Sequence, residues 1–144
     1  MCSFLTPANF ILKEINKGLE YDASIKKILI SALDEQTFEL SIASEAYLFA
    51  LPDAKELLDH YLDGKNKCLD LTINGQAILL ETPEYEELLF HYINKRALED
   101  ETQTLMLNHQ KAKKLFDLHI KKHSVSPAVY LKAKEKGWIP QCPF

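Results

Sequence analysis

Two stretches of the chain nearly coincide: PDAKELLDHYLDGK, starting at Pro52, and PEYEELLFHYINKR, starting at Pro83. With the prolines superposed, Glu56/Glu87, Leu57/Leu88, Leu58/Leu89, His60/His91 and Tyr61/Tyr92 are identical. Each stretch places its apolar residues at helical spacing. In the second, Leu88, Leu89, Tyr92, Ile93 and Arg96 form one mostly apolar stripe while Glu86, Glu87, Asn94 and Lys95 lie elsewhere. A helix of about three turns cannot bury such a stripe alone. A repeated pattern of this kind therefore calls for stacked neighbours.

A third copy strengthens the pattern. Residues 75–97 align without a gap on residues 102–124, so that Gln76 meets Gln103, Leu88-Leu89 meets Leu115-Phe116, and Ile93 meets Ile120. Upstream, Ala46-Tyr47-Leu48 stands opposite Ala77-Ile78-Leu79, and a weaker fourth copy is ASIKKILISALDE, with Ile28-Leu29 in place of the leucine pair. Each unit is a short apolar segment, a break, and an amphipathic helix. The His-Tyr pair of the first two copies becomes Leu118-His119 in the third. What persists is the apolar spacing, which marks a packing motif and not a catalytic one.

Proline, glycine and hydroxyl residues punctuate these segments. Thr6-Pro7, Thr82-Pro83 and Ser126-Pro127 each offer a hydroxyl N-cap followed by proline at the first helical position. Gly18, Gly64 and Gly137 follow helical patterns and suit left-handed closures. The marks predict helices at 7–17, 23–34, 43–51, 53–63, 83–97, 103–109, 110–122 and 127–136. One stretch reads differently. Leu69, Leu71 and Ile73 alternate with polar residues up to Asn74-Gly75, the dipeptide suited to a type I′ turn, which predicts a short β-hairpin at 68–81.

The stretch NGQAILLETPEYEELLFHYINKRA, at residues 74–97, resembles a divergent ankyrin repeat, and the resemblance extends over about residues 23–124. It implies that Asn74-Gly75-Gln76 is a finger turn, residues 77–82 the first helix and 84–94 the second. It also implies a protein-binding role for fingers and first helices, around Lys67, Asp70, Asn74, Gln76, Asp100 and Gln103. The fold class expected is mostly α, built of stacked helical hairpins. Alternatives are a different helical array or bundle and a compact α+β domain around the hairpin. At 144 residues a single domain is expected, with residues 1–22 as an N-terminal cap, 23–124 as repeats and 125–144 as a C-terminal capping helix and tail.

Charge supplies a rival. Residues 105–144 carry eight lysines against Asp117 and Glu135, whereas the rest of the chain is strongly acidic. A basic helix pair at 110–136 could meet nucleic acid through Lys111, Lys114, Lys121, Lys122, Lys132 and Lys134, although the region has no arginine. A small enzyme is a further alternative, and would require His60, His91 and a carboxylate in one pocket. No catalytic set, cofactor motif or metal site is legible. His119 and His123 have the i, i+4 spacing of metal ligands but no third ligand beside them. The isolated cysteines, the lack of a membrane-length apolar run and the lack of a leader predict a cytoplasmic protein that is not inserted in a membrane.

Overall fold

In the computed structural model, residues 7–64 and 69–139 are described. They form nine α-helices: α1 (Pro7–Asn16), α2 (Ala23–Asp34), α3 (Ile42–Phe49), α4 (Ala54–Leu62), α5 (Ile73–Glu81), α6 (Glu86–Lys95), α7 (Asp100–Met106), α8 (Ala112–Lys122) and α9 (Pro127–Glu135). A 3-10 turn at Pro83–Tyr85 leads into α6. No strand occurs among the described residues. The packing groups the chain into two compact units, Met1–Gly75 and Gln76–Phe144, with the division inside α5.

In the first unit, α1 pairs with α2 and α3 with α4, while α1 packs on α3 and α2 on α4. These are two stacked helical hairpins, the arrangement that the repeated apolar spacing demands. Leu12, Leu29, Leu33, Leu48, Leu57, Leu58, Tyr61 and Leu62 are buried between them. In the second unit, α6 packs on α8 and α7 on α8. Leu89, Tyr92, Ile93, Met106, Leu115 and Phe116 form its core, and α9 adds Val129 and Ala133. The pairs of the three stronger copies are thus core residues, with Leu57-Leu58, Leu88-Leu89 and Leu115-Phe116 all buried, whereas in the fourth copy only Leu29 is buried and Ile28 is exposed.

The helix ends follow local chemistry. Asp22, Ser41 and Ser126 accept backbone N–H bonds from Ile25, Ser44 and Val129, closing orphan donors at the starts of α2, α3 and α9. At the end of α9, Gly137 has φ +76° and the Trp138 N–H donates to the Ala133 carbonyl. That bond turns Trp138 back toward Phe116, ring centroids 5.8 Å apart. Thr82 differs from expectation: its hydroxyl makes no cap, and the turn is closed by the Tyr85 N–H donating to the Thr82 carbonyl.

Two glycines serve close approach. Gly64 does not adopt a positive φ. A Cβ there would lie 2.7 Å from the His60 carbonyl oxygen and 2.8 Å from that of Asp34. Its lack of a side chain lets the end of α4 lie against the end of α2. Gly75 corrects the hairpin expectation. Residues 69–72 have no regular secondary structure, α5 begins at Ile73, and Cys68 lies outside the described residues. Asn74-Gly75 therefore belongs to the first turn of a helix, not to a type I′ or finger turn. Leu69 and Leu71 do alternate with half-buried neighbours, but they do so in the approach to an N-cap. The Thr72 hydroxyl accepts the Gly75 N–H at 3.1 Å and starts the helix.

Candidate functional site

The buried polar residues form a pattern that repeats from hairpin to hairpin. In the first unit, Asn9 Oδ1 on α1 accepts the backbone N–H of Ser41 at 3.1 Å, and Ser41 is the N-cap of α3. Glu45 Oε2 on α3 accepts the N–H of Thr72, the residue preceding α5, at 2.7 Å. In the second unit, Gln76 Oε1 on α5 accepts the N–H of Glu99, the N-cap of α7, at 2.9 Å. Gln103 Oε1 on α7 accepts the N–H of Ser126, the N-cap of α9, at 2.7 Å. Each first helix of a hairpin thus carries one buried acceptor that holds the start of the next first helix. The acceptors meet donors that the helix geometry leaves without an intrahelical partner. A buried polar group held this way is satisfied and not costly.

A second pattern runs through the second helices. The Tyr61 hydroxyl on α4 accepts the Leu40 N–H at 3.0 Å. His119 Nε2 on α8 accepts the Leu98 N–H at 2.9 Å. Leu40 and Leu98 each stand directly before the N-cap of the first helix in the same hairpin. Both rings are fully buried. His119 is therefore an acceptor through Nε2, with its proton on Nδ1. Burial, reinforced by His123, holds its pKa down at about 4.

These bonds relocate several sequence-predicted site residues. Gln76 is 0 % exposed and Gln103 4 % exposed. Gln76 also accepts from the Thr102 hydroxyl at 2.6 Å, and Gln103 Nε2 donates to the Leu98 carbonyl at 2.9 Å. Burial and backbone bonding withdraw both from an outer recognition surface. Asn74 and Asp100 are exposed and Asp70 is half-buried. Lys67 lies outside the described residues. Sequence reasoning missed Glu45, Asn9 and Tyr61. The available signal was a triplet ahead of each first helix: Leu40-Ser41-Ile42, Leu71-Thr72-Ile73 and Val125-Ser126-Pro127, with Leu98-Glu99-Asp100 departing only in its cap.

What the architecture leaves exposed is equally regular. The first two residues of α3, α5, α7 and α9 face solvent: Ile42-Ala43, Ile73-Asn74, Asp100-Glu101 and Pro127-Ala128. In the first unit these positions are mostly apolar, and Ile42 and Ile73 stand among its exposed large side chains. In the second unit, α7 presents carboxylates.

Of the lysines considered for nucleic acid, Lys111 is ion-paired with Glu86 at 2.8 Å. Lys114, Lys121, Lys122, Lys132 and Lys134 are exposed on α8 and α9. His119 and His123 do not form a metal pair. The Nε2 of His119 is occupied by Leu98, and His123 Nε2 donates to the Ile93 carbonyl at 2.7 Å. His60 Nδ1 bonds Asp34 at 2.8 Å in the first unit, and His91 is half-buried on α6 in the second. A groove of about 450 Å³ between α1 and α2 is lined by Pro7, Ile11, Ile28 and Ala32, with Gln36 at its edge. It contains neither histidine. Among the described residues, no group of three potential metal ligands occurs and no helix is long and apolar enough to cross a membrane.

Comparison with protein-family models, curated protein sequences and solved structures finds no match.

Proposed function

We propose that the chain is a non-catalytic protein-binding module of ankyrin-like helical hairpins, working in the cytoplasm. The observation that carries this reading is the double regularity of the first helices. At equivalent positions one polar side chain is buried to hold the next hairpin, and the two residues at the helix start are turned outward. A scaffold that commits its interior polar groups to architecture and exposes side chains at repeated positions suits recognition of another protein. Recognition in the first unit centres on Asp70, Ile73 and Asn74, and in the second on Asp100 and Glu101.

The test is site-specific photocrosslinking. A photoreactive amino acid at Asn74 or Asp100 is expected to capture one defined partner in cells, and Ile73→Asp to abolish capture from Asn74. The same probe at Lys113 on α8 serves as the off-face control. Capture from Lys113 and none from Asn74 or Asp100 overturns the reading. The rival function, nucleic-acid binding, draws on five of the exposed lysines of α8 and α9, Lys114, Lys121, Lys122, Lys132 and Lys134. It predicts affinity that falls steeply between two salt concentrations and weakens with Lys121→Ala and Lys132→Ala.

A further inference from the structure

Glu45 is the one carboxyl among the four acceptors that hold first helices; Asn9, Gln76 and Gln103 are amides. It is 0 % exposed. One oxygen accepts the Thr72 N–H at 2.7 Å and the other the Thr72 hydroxyl at 2.5 Å. A Cβ on Gly75 would lie 2.6 Å from Glu45 Oε1, so the carboxyl rests directly on the first turn of α5. An amide does the same holding work at every other position without regard to pH. We propose that Glu45 is a proton-operated latch: protonated, it holds the Thr72–Gly75 turn of α5 against α3, and ionised, it lets that turn loosen.

The physical contest is between burial and hydrogen bonding. Ionisation inside the unit removes a charge from water, which disfavours the anion. The two Thr72 bonds and the N-terminal end of α5 favour it. Burial is the larger effect, and the carboxyl titrates at about 7. The charge acting on it from the segment ahead of α3 is Glu39, which also disfavours ionisation. From α4 it is faced by Tyr61, whose hydroxyl pKa is raised by burial and further by Glu45, Glu39 and Asp70. The α1 residue bonded at the start of α3 is Asn9, and the α5 residue in contact is Gly75; neither titrates. When Glu45 is protonated, its O–H can donate to the Thr72 hydroxyl oxygen while its carbonyl oxygen keeps the Thr72 N–H. No charge is then buried.

The consequence for recognition rests on the function proposed above. Ile73 and Asn74 sit inside the latched turn, so ionisation of Glu45 would alter how they are presented to a partner. The latch itself needs no partner to be observed. The experiment is hydrogen exchange by NMR on the full chain, with Thr72 and Gly75 amide protection corrected for the intrinsic pH dependence of exchange. Opening of that turn is expected to rise about tenfold from pH 6 to pH 8. Glu45→Gln is expected to flatten the profile and leave far-UV circular dichroism unchanged. The Glu45 side-chain carboxyl carbon, followed by ¹³C shift, should titrate near neutrality. A carboxyl midpoint below pH 5, or identical profiles for the native chain and Glu45→Gln, overturns the latch. Photocrosslinking that fails to find a partner at Asn74 sinks the recognition reading and leaves the latch intact.

Discussion

Single residues acquire their roles here from what lies 20 to 35 positions away in sequence. His119 is the clearest case. Its ring takes the place that Tyr61 fills in the first unit, accepting an N–H from the residue ahead of an N-cap. A histidine can do this only while neutral. Its folded-state pKa, about 4, lies below the ordinary value of 6.5. The stability it supports is complete above pH 6.5 and is lost as pH falls toward 4. Trp138, the chain's single tryptophan, packs on Phe116 in the same unit. Its fluorescence should therefore report an acid transition between pH 6.5 and 4. His119→Tyr, which restores the hydroxyl acceptor of the other unit, should remove that part of the transition. Gly64 offers a second test at this scale. Gly64→Ala drives a methyl group into two backbone carbonyls, and neither can move without shifting a helix end. A loss of about 1–3 kcal/mol in denaturant unfolding is expected, the range for overpacking a tight site.

At the scale of the element, the short first helices depend on their neighbours. α7 has seven residues and α5 has nine, well under the length at which an isolated helix persists in water. Each is fixed at its start by a side chain from the preceding first helix. Gln103→Leu preserves size but leaves the Ser126 N–H and the Leu98 carbonyl without their partner. The expected cost is about 1–3 kcal/mol, the penalty for stranding buried polar groups. It should appear as faster amide exchange at the start of α9, with α8 unaffected. The surface ion pairs are worth less, because Lys113 with Asp117, within α8, is exposed, and Lys26 with Asp53 and Glu56 is partly exposed, so that salt screens them.

Across the whole molecule, the two compact units respond to pH with opposite sign. The first contains Glu45, whose pKa is raised by burial, so its contribution is complete below the ordinary carboxyl value and declines as pH rises toward 7. The second contains His119 and weakens in acid. Thermal unfolding followed separately is therefore expected to cross over. Tryptophan fluorescence for the second unit should show its midpoint falling between pH 6.5 and 4.5. Assigned methyl resonances of Leu29 and Leu57 in the first unit should show stability falling as pH rises from 4.5 to 7. Parallel responses in both units would contradict the assignment of these two groups.

The amphipathic spacing was legible without coordinates, because it depends only on residue order and helical pitch. It placed α2 at 23–34 and α9 from Pro127, and it identified Leu57-Leu58 and Leu88-Leu89 as packing residues. The chain by itself also aligned Gln76 with Gln103. What it could not give was their environment, since a glutamine in a short apolar segment reads equally as a surface contact or an interior bond. Tertiary structure decided that both are buried acceptors. It likewise decided that Asn74-Gly75 opens a helix and does not turn a hairpin. Local preference favoured the turn, but the Thr72 cap and the Glu45 carboxyl, 27 residues upstream of Thr72, stabilise the helical alternative. Local spacing is written into the chain directly, whereas the partner of a buried polar group exists only once distant segments have been brought together.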